Sequence, residues 1–173
     1  MNILVNILMY QGVWFLGVLY GDRGGLMALS LLALHLVLSP RPFADIKMIT
    51  LFVVAGLLID SSLQMLGVLT FFAPSRPIPF WLIVIWAGLD TLPLHALRWM
   101  QGRHLINVFF GALGGPLAYW AGVRLGAASF PQSALFSLTV LAVVWAVFWP
   151  LAMHAASRLS DPFHRLDRAG EKK

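Results

Sequence analysis

Six apolar runs, each near the length that crosses a bilayer, take up almost the whole chain, at about 3–20, 24–40, 46–70, 79–100, 104–125 and 133–157. About 30 Å of hydrocarbon at about 1.5 Å of rise per residue requires roughly twenty mainly apolar residues per helical span. Polar punctuation separates the runs. Residues 21–25, with Asp22 and Arg23 among three glycines, form a tight turn. Pro40 and Pro42, then Pro74 and Pro77, stop the second and third runs, because proline cannot continue a helix. Gln101, Gly102 and Arg103 part the fourth from the fifth, and Pro131 opens the sixth. Of 173 residues, 60% are hydrophobic and 11% charged. A soluble domain carries about a quarter charged residues, so polar surface is too scarce here to coat a globule in water.

The expected fold is therefore an all-α integral membrane protein. It is a compact bundle of about six transmembrane helices, one domain over 1–157 followed by a short basic tail over 158–173. The first two runs are short, so a hairpin that only dips into the membrane is the alternative. Residues 1–20 read as a retained helix, since they have no basic start, carry Asn6 and Gln11, and precede no small-residue cleavage site.

The net charge of +5 does not mark a nucleic-acid surface, which needs a contiguous basic patch. The basic residues lie singly between apolar runs or in the last sixteen positions, where they read as topology. With the N-terminus inside, nine of the twelve Lys and Arg fall on the inner side and three, Arg23, Arg76 and Arg124, on the outer. The positive-inside rule then places both termini in the cytoplasm. Trp81 and Trp99 suit the membrane interfaces. The tail around Phe163 and Leu166 reads as solvated, with a lipid-lying amphipathic segment as the alternative.

Asp60 and Asp90 lie deep in apolar runs, where an ionised side chain costs at least about 2.5–3.5 kcal/mol. Gly56, Asp60, Gln64 and Gly67 share one helix face, a stripe that points Asp60 into protein. It is either a functional acid or one neutralised by a neighbour, for which Arg124 is the candidate. In the fourth run Pro93 breaks the backbone ladder next to Asp90, tolerable at depth only where protein or a wet cavity satisfies it. Asp90 and His95 are about 140° apart on a helix and form no dyad. His95, Arg98 and Trp99 cluster at the inner end. Asn2, Asn6 and Tyr10 form a stripe with Gln11 beside it, suited to hydrogen bonds between helices. Asn6, His35, His95, Asn107 and His154 all fall in the inner half, where a shared polar pocket is one reading and coincidence the other. Gly114, Ala118, Gly122 and Gly126 make a small-residue stripe on the fifth run, a surface for close helix packing or oligomer formation. Tyr119 and Arg124 lie beyond Pro116. No zinc-protease, phosphate-loop or nucleophile-elbow motif occurs. The absence of cysteine removes disulfides and thiolate ligands. Nothing in the spacing argues for a metal ion, and no cofactor is expected.

These residues resemble one bacterial family, the domain of unknown function 2878. The resemblance runs the length of the chain, through Asn6, Gln11 and Trp14, His35 between leucines, the Gly56–Asp60 block, Pro79 to Trp81 leading to Trp86, and His95 to Trp99. Its most specific block is Gly114 to Ala127. The sequence departs from the pattern at Leu94, where a polar residue is expected, and at Asp90, where a neutral one is, which shifts weight to Asp60 and His95. The resemblance implies an inner-membrane protein whose genes often neighbour lipid-modifying methyltransferases. The expected function is a lipid-linked role, binding, modifying or presenting an acyl lipid. Asp60 and His95 act as acid/base or head-group contacts, and Asn6, Gln11, His35, Gln64, Asp90, Asn107, Tyr119 and Arg124 as binding residues. The alternatives are a small transporter or flippase using Asp60 and Asp90, and a non-catalytic assembly partner. Membrane lipids are the expected partners.

Overall fold

The computed structural model describes residues 2–72 and 77–170, with side chains described as far as Leu159. Five α-helices follow in order: α1 (Ile3–Leu38), α2 (Pro42–Met65), α3 (Phe80–Leu89), α4 (His104–Arg124) and α5 (Ala134–Gly170). Two short strands, β1 (Thr70–Phe71) and β2 (Ala128–Ser129), pair antiparallel. Among the described residues, four segments are long and apolar enough to cross a membrane: Ile3–Leu38, Pro42–Met65, His104–Arg124 and Ala134–Leu159. They turn large apolar side chains outward, among them Phe15, Leu58, Leu113 and Val147. That pattern is costly in water and suits hydrocarbon.

Four such helices stand where six spans are expected. The first difference is α1, which holds both of the first two runs. Gly21 interrupts it with φ 59° and ψ −140°, a conformation open chiefly to glycine. The chain then doubles back. A Cβ on Gly12 would lie 3.0 Å from Cδ1 of Leu31, whereas on a straight helix the two residues would be about 28 Å apart. α1 is thus a helical hairpin.

The second difference is α3. A helix over 79–100 is expected, but α3 stops at Leu89 after 10 residues. Pro93 has no N–H to donate to the Leu89 carbonyl, and its ring crowds that turn. The carbonyl accepts from Leu92 N at 3.2 Å instead, and the chain runs on in tight turns. Between residues 78 and 98 no residue is exposed, which is how irregular backbone survives inside an apolar bundle.

Glycines set how closely the helices approach. α3 lies against the α1 hairpin, where a Cβ on Gly25 would sit 3.0 Å from Cα of Trp81. The Trp81 N–H donates to Oδ1 of Asp22 at 3.2 Å, which caps the start of α3. Trp81 is buried in the bundle. α5 packs on α4, where side chains on Gly111 or Gly115 would overlap the backbone or ring of Trp145. Ser137 Oγ donates to the Val68 carbonyl at 2.7 Å, and with β1–β2 it ties the α2–α3 connection to the α4–α5 connection at one end. Gln64 Nε2 donates to the Pro77 carbonyl at 2.9 Å at that end. Gly67 lies past the end of α2 with φ 67°, so it is not part of the Asp60 face.

The backbone of α5 continues as helix to Gly170, through most of the expected tail. The expected roles of Phe163 and Leu166 lie outside the described side chains, and residues 73–76, including Arg76, lie outside the described residues.

Candidate functional site

Asp60 is wholly buried on α2. One turn earlier Gly56 leaves no room for a side chain, because the Trp86 ring lies directly against it. That approach carries the indole N–H to Asp60, where Nε1 donates to Oδ2 at 2.7 Å. Tyr119 O–H on α4 donates to Oδ1 at 2.5 Å. Both carboxylate oxygens are thus satisfied without a cation. Arg124, the expected counter-charge, is exposed and lies 5.9 Å from the centroid of the Trp120 ring. Two hydrogen bonds, from α3 and from α4, thus tie Trp86 and Tyr119 to Asp60. Trp86 also stacks on Trp145, with ring centroids 5.3 Å apart.

The two side chains that Asp60 holds form part of a crevice between α1 and the α4–α5 pair. It consists of two adjoining voids of about 60 and 330 Å³. Tyr10, Trp14, Leu89, Ala118 and Trp145 line both. Trp86, Tyr119 and Gly122 line the first, with Phe71 and Ala128 of the paired strands beside them. Gln11, Gly114 and Trp149 line the second.

The expectation that Gly114, Ala118 and Gly122 pack closely on another helix is corrected here. The tight face is Gly111 and Gly115. Gly122 is buried, yet a Cβ there would meet nothing within 4 Å. The stripe faces the void. Gly126 lies beyond the helix with φ 81°, at the turn after α4.

A second polar cluster occupies the other end. The connection from α1 to α2 is three residues long, so the last turn of α1 adjoins the first turn of α2. His35 comes from the first and Asp45 from the second. His95, from the irregular segment after α3, places Nε2 3.0 Å from Oδ1 of Asp45. His35 Nε2 lies 3.4 Å from Oδ2. The two imidazole rings meet edge to face, 5.0 Å between centroids. Asp90 is also buried, with neither carboxylate oxygen hydrogen-bonded.

Asn6 holds the irregular segment from both sides, donating through Nδ2 to Thr91 Oγ1 at 3.2 Å and accepting from Ala96 N at 3.0 Å. Gln101 Nε2 donates to the Pro93 carbonyl at 3.0 Å, and Asn107 Nδ2 to the Met100 carbonyl at 3.0 Å. These amides satisfy backbone that helix bonds leave open.

The inner pocket expected from five residues is thus assembled from His35 and His95, with Asn6 bracing the segment that carries His95. Asn107 is engaged at Met100. His154 is exposed and bonded to Arg158. Asp60 and His95 do not share a site. Asp45, which His95 contacts, lies fifteen residues before Asp60, about 22 Å along α2. Asp45 is the residue that sequence reasoning missed. As an acid in a first turn behind Pro42 it resembles an ordinary helix-start charge. The signal that could have found it is the three-residue connection, which forces a buried His at one helix end against an acid at the next start.

The family model described as "Protein of unknown function (DUF2878)" matches residues 3–151. No curated protein and no solved structure matches the chain.

Proposed function

The chain belongs to the DUF2878 family of proteins of unknown function, and from its crevice we propose that it binds an acyl lipid between α1 and the α4–α5 pair. The observation that carries this reading is Gly122, buried but facing open space, in a crevice walled by Tyr10, Trp14, Trp86 and Trp145. Small-molecule sites typically enclose about 300–1,000 Å³, mostly apolar with a few placed polar groups; the second void, about 330 Å³, is of that size, and the first, about 60 Å³, extends it past Gly122. Here the polar groups are Tyr119, oriented from behind by Asp60, and Gln11 near the exposed side. Both walls belong to helices long and apolar enough to lie in a membrane, so a chain from the bilayer can enter sideways. Asp60 acts through Tyr119 and needs no direct contact with the lipid.

The reading carries a topology with it. The two halves of α1, then α2, the α3 segment, α4 and α5 make six crossings, with both termini in the cytoplasm of a bacterial cell and the chain in its inner membrane. The nine-to-three distribution of basic residues supports that orientation.

A second reading, a small transporter or flippase, is favoured by one observation, the unpartnered Asp90 carboxylate beside a broken helix. Lipid analysis of a strain lacking the gene separates the two. The lipid role predicts a shift in one acyl-lipid class, restored by the wild-type gene but not by Gly122→Trp. An unaltered lipid profile together with proton- or cation-dependent uptake in proteoliposomes would transfer the function to the second reading.

A further inference from the structure

We propose that His35, Asp45 and His95 form a binding site for a divalent first-row transition-metal ion, of the kind taken by two imidazoles and a carboxylate. One ligand atom from each lies within 4.8 Å of the others. The Asp45 oxygens stand 3.0 Å from His95 Nε2 and 3.4 Å from His35 Nε2. Ligands bound at about 2.0–2.2 Å to one ion lie about 3.0–3.5 Å apart, the same spacing.

Hydrogen bonding alone leaves the cluster incomplete. The His95–Asp45 pair is hydrogen-bonded, but His35 Nε2 and Asp45 Oδ2 face each other at 3.4 Å without hydrogen-bond geometry, and His35 Nδ1 is buried with no partner. A dication bound by the two imidazoles would offset the buried Asp45 carboxylate.

The backbone around the site has the same logic. The His95 ligand sits on a stretch that Pro93 keeps out of helix and Asn6 clamps at Thr91 and Ala96. A regular helix through 90–97 would aim His95 elsewhere. A void of about 10 Å³ beside His35, bordered by Tyr10, Gly88 and Thr91, is about the size of one water on the ion. Three protein ligands with an open position is the pattern of catalytic rather than structural sites. The ligand set suits Zn²⁺, Fe²⁺ or Mn²⁺ better than Ca²⁺ or Mg²⁺. In chain order the three ligands show no metal-binding spacing, because they meet only through the α1–α2 connection and the broken segment.

The test is metal binding by the full-length chain in detergent with any affinity tag removed. Elemental analysis of the protein as purified, and titration of chelator-treated protein with Co²⁺, should each give about one ion per chain, with visible Co²⁺ absorption that Zn²⁺ displaces. His35→Gln and His95→Gln should each weaken Co²⁺ binding by at least about tenfold. Asp60→Asn, at the other end, should bind as the wild type does. Folded wild-type protein that takes up none of Co²⁺, Zn²⁺, Fe²⁺ or Mn²⁺ overturns the proposal. So does a folded His35→Gln/His95→Gln double variant that binds Co²⁺ undiminished. If the variants do not fold, the wild-type titration decides alone.

Discussion

Two donors, an indole N–H and a phenol O–H, share the Asp60 carboxylate, so its replacements should separate by what they leave unpaired. Asparagine can still accept from Trp86 and can donate its amide to the Tyr119 oxygen. Asp60→Asn should therefore fold with a loss of no more than about 1 kcal/mol. Asp60→Ala orphans both donors at about 1–3 kcal/mol each. Thermal unfolding of the two variants in one detergent checks this, and equal losses would contradict it. Tyr119→Phe removes one donor and leaves Oδ1 buried and bare, so it should fall between them. That Asp60 is buried was legible, because glycine and glutamine share its helix face. Its partners were not, since Trp86 and Tyr119 lie 26 and 59 residues away and nothing local encodes such contacts. Arg124 looked suitable by depth alone, whereas its guanidinium stays at the surface over Trp120.

α4 carries glycines with opposite consequences at different heights. Gly115 lies against the Trp145 ring, so Gly115→Leu must push α5 away and should destabilise at or above the upper end of the ~1–3 kcal/mol usual for overpacking. Gly122 faces the void, so Gly122→Leu should leave the melting temperature within experimental error. Comparable destabilisation by both would mean that the crevice is not open in the folded protein. The glycine pattern was readable as a packing device, but its direction was not. Gly111 and Gly115 share a face with Asn107, while Gly114 and Ala118 each sit only about 60° round from the glycine three residues before, and periodicity cannot say which stripe meets a helix. The apolar runs themselves were legible from length and punctuation. The short α3 was half legible. Pro93 announced a break, but the non-helical course to Met100 depends on Asn6 and Gln101, which reach in from elsewhere.

At the scale of the molecule, α1 and α2 pack on α3 and α5 packs on α4; the two groups are joined by the strand pair, the Asp60–Tyr119 bond and the Trp86–Trp145 stack, with the crevice between α1 and α4. Reporter fusions test how the molecule sits in the membrane. A periplasm-active reporter after Lys173 should be silent and one within 73–77 active, and the reverse pattern would invert the proposed orientation. The central claim is that the crevice holds a lipid, and native mass spectrometry of the detergent-purified chain tests it most directly. The wild type should carry one acyl lipid through repeated detergent exchange. Gly122→Trp, which fills the void, should lose it, and Leu113→Trp, on the exposed face of the same helix, should keep it. A wild type that is lipid-free, or whose crevice is closed by a second copy in a stable dimer, would contradict the account, as would a Gly122→Trp protein that retains the same bound mass.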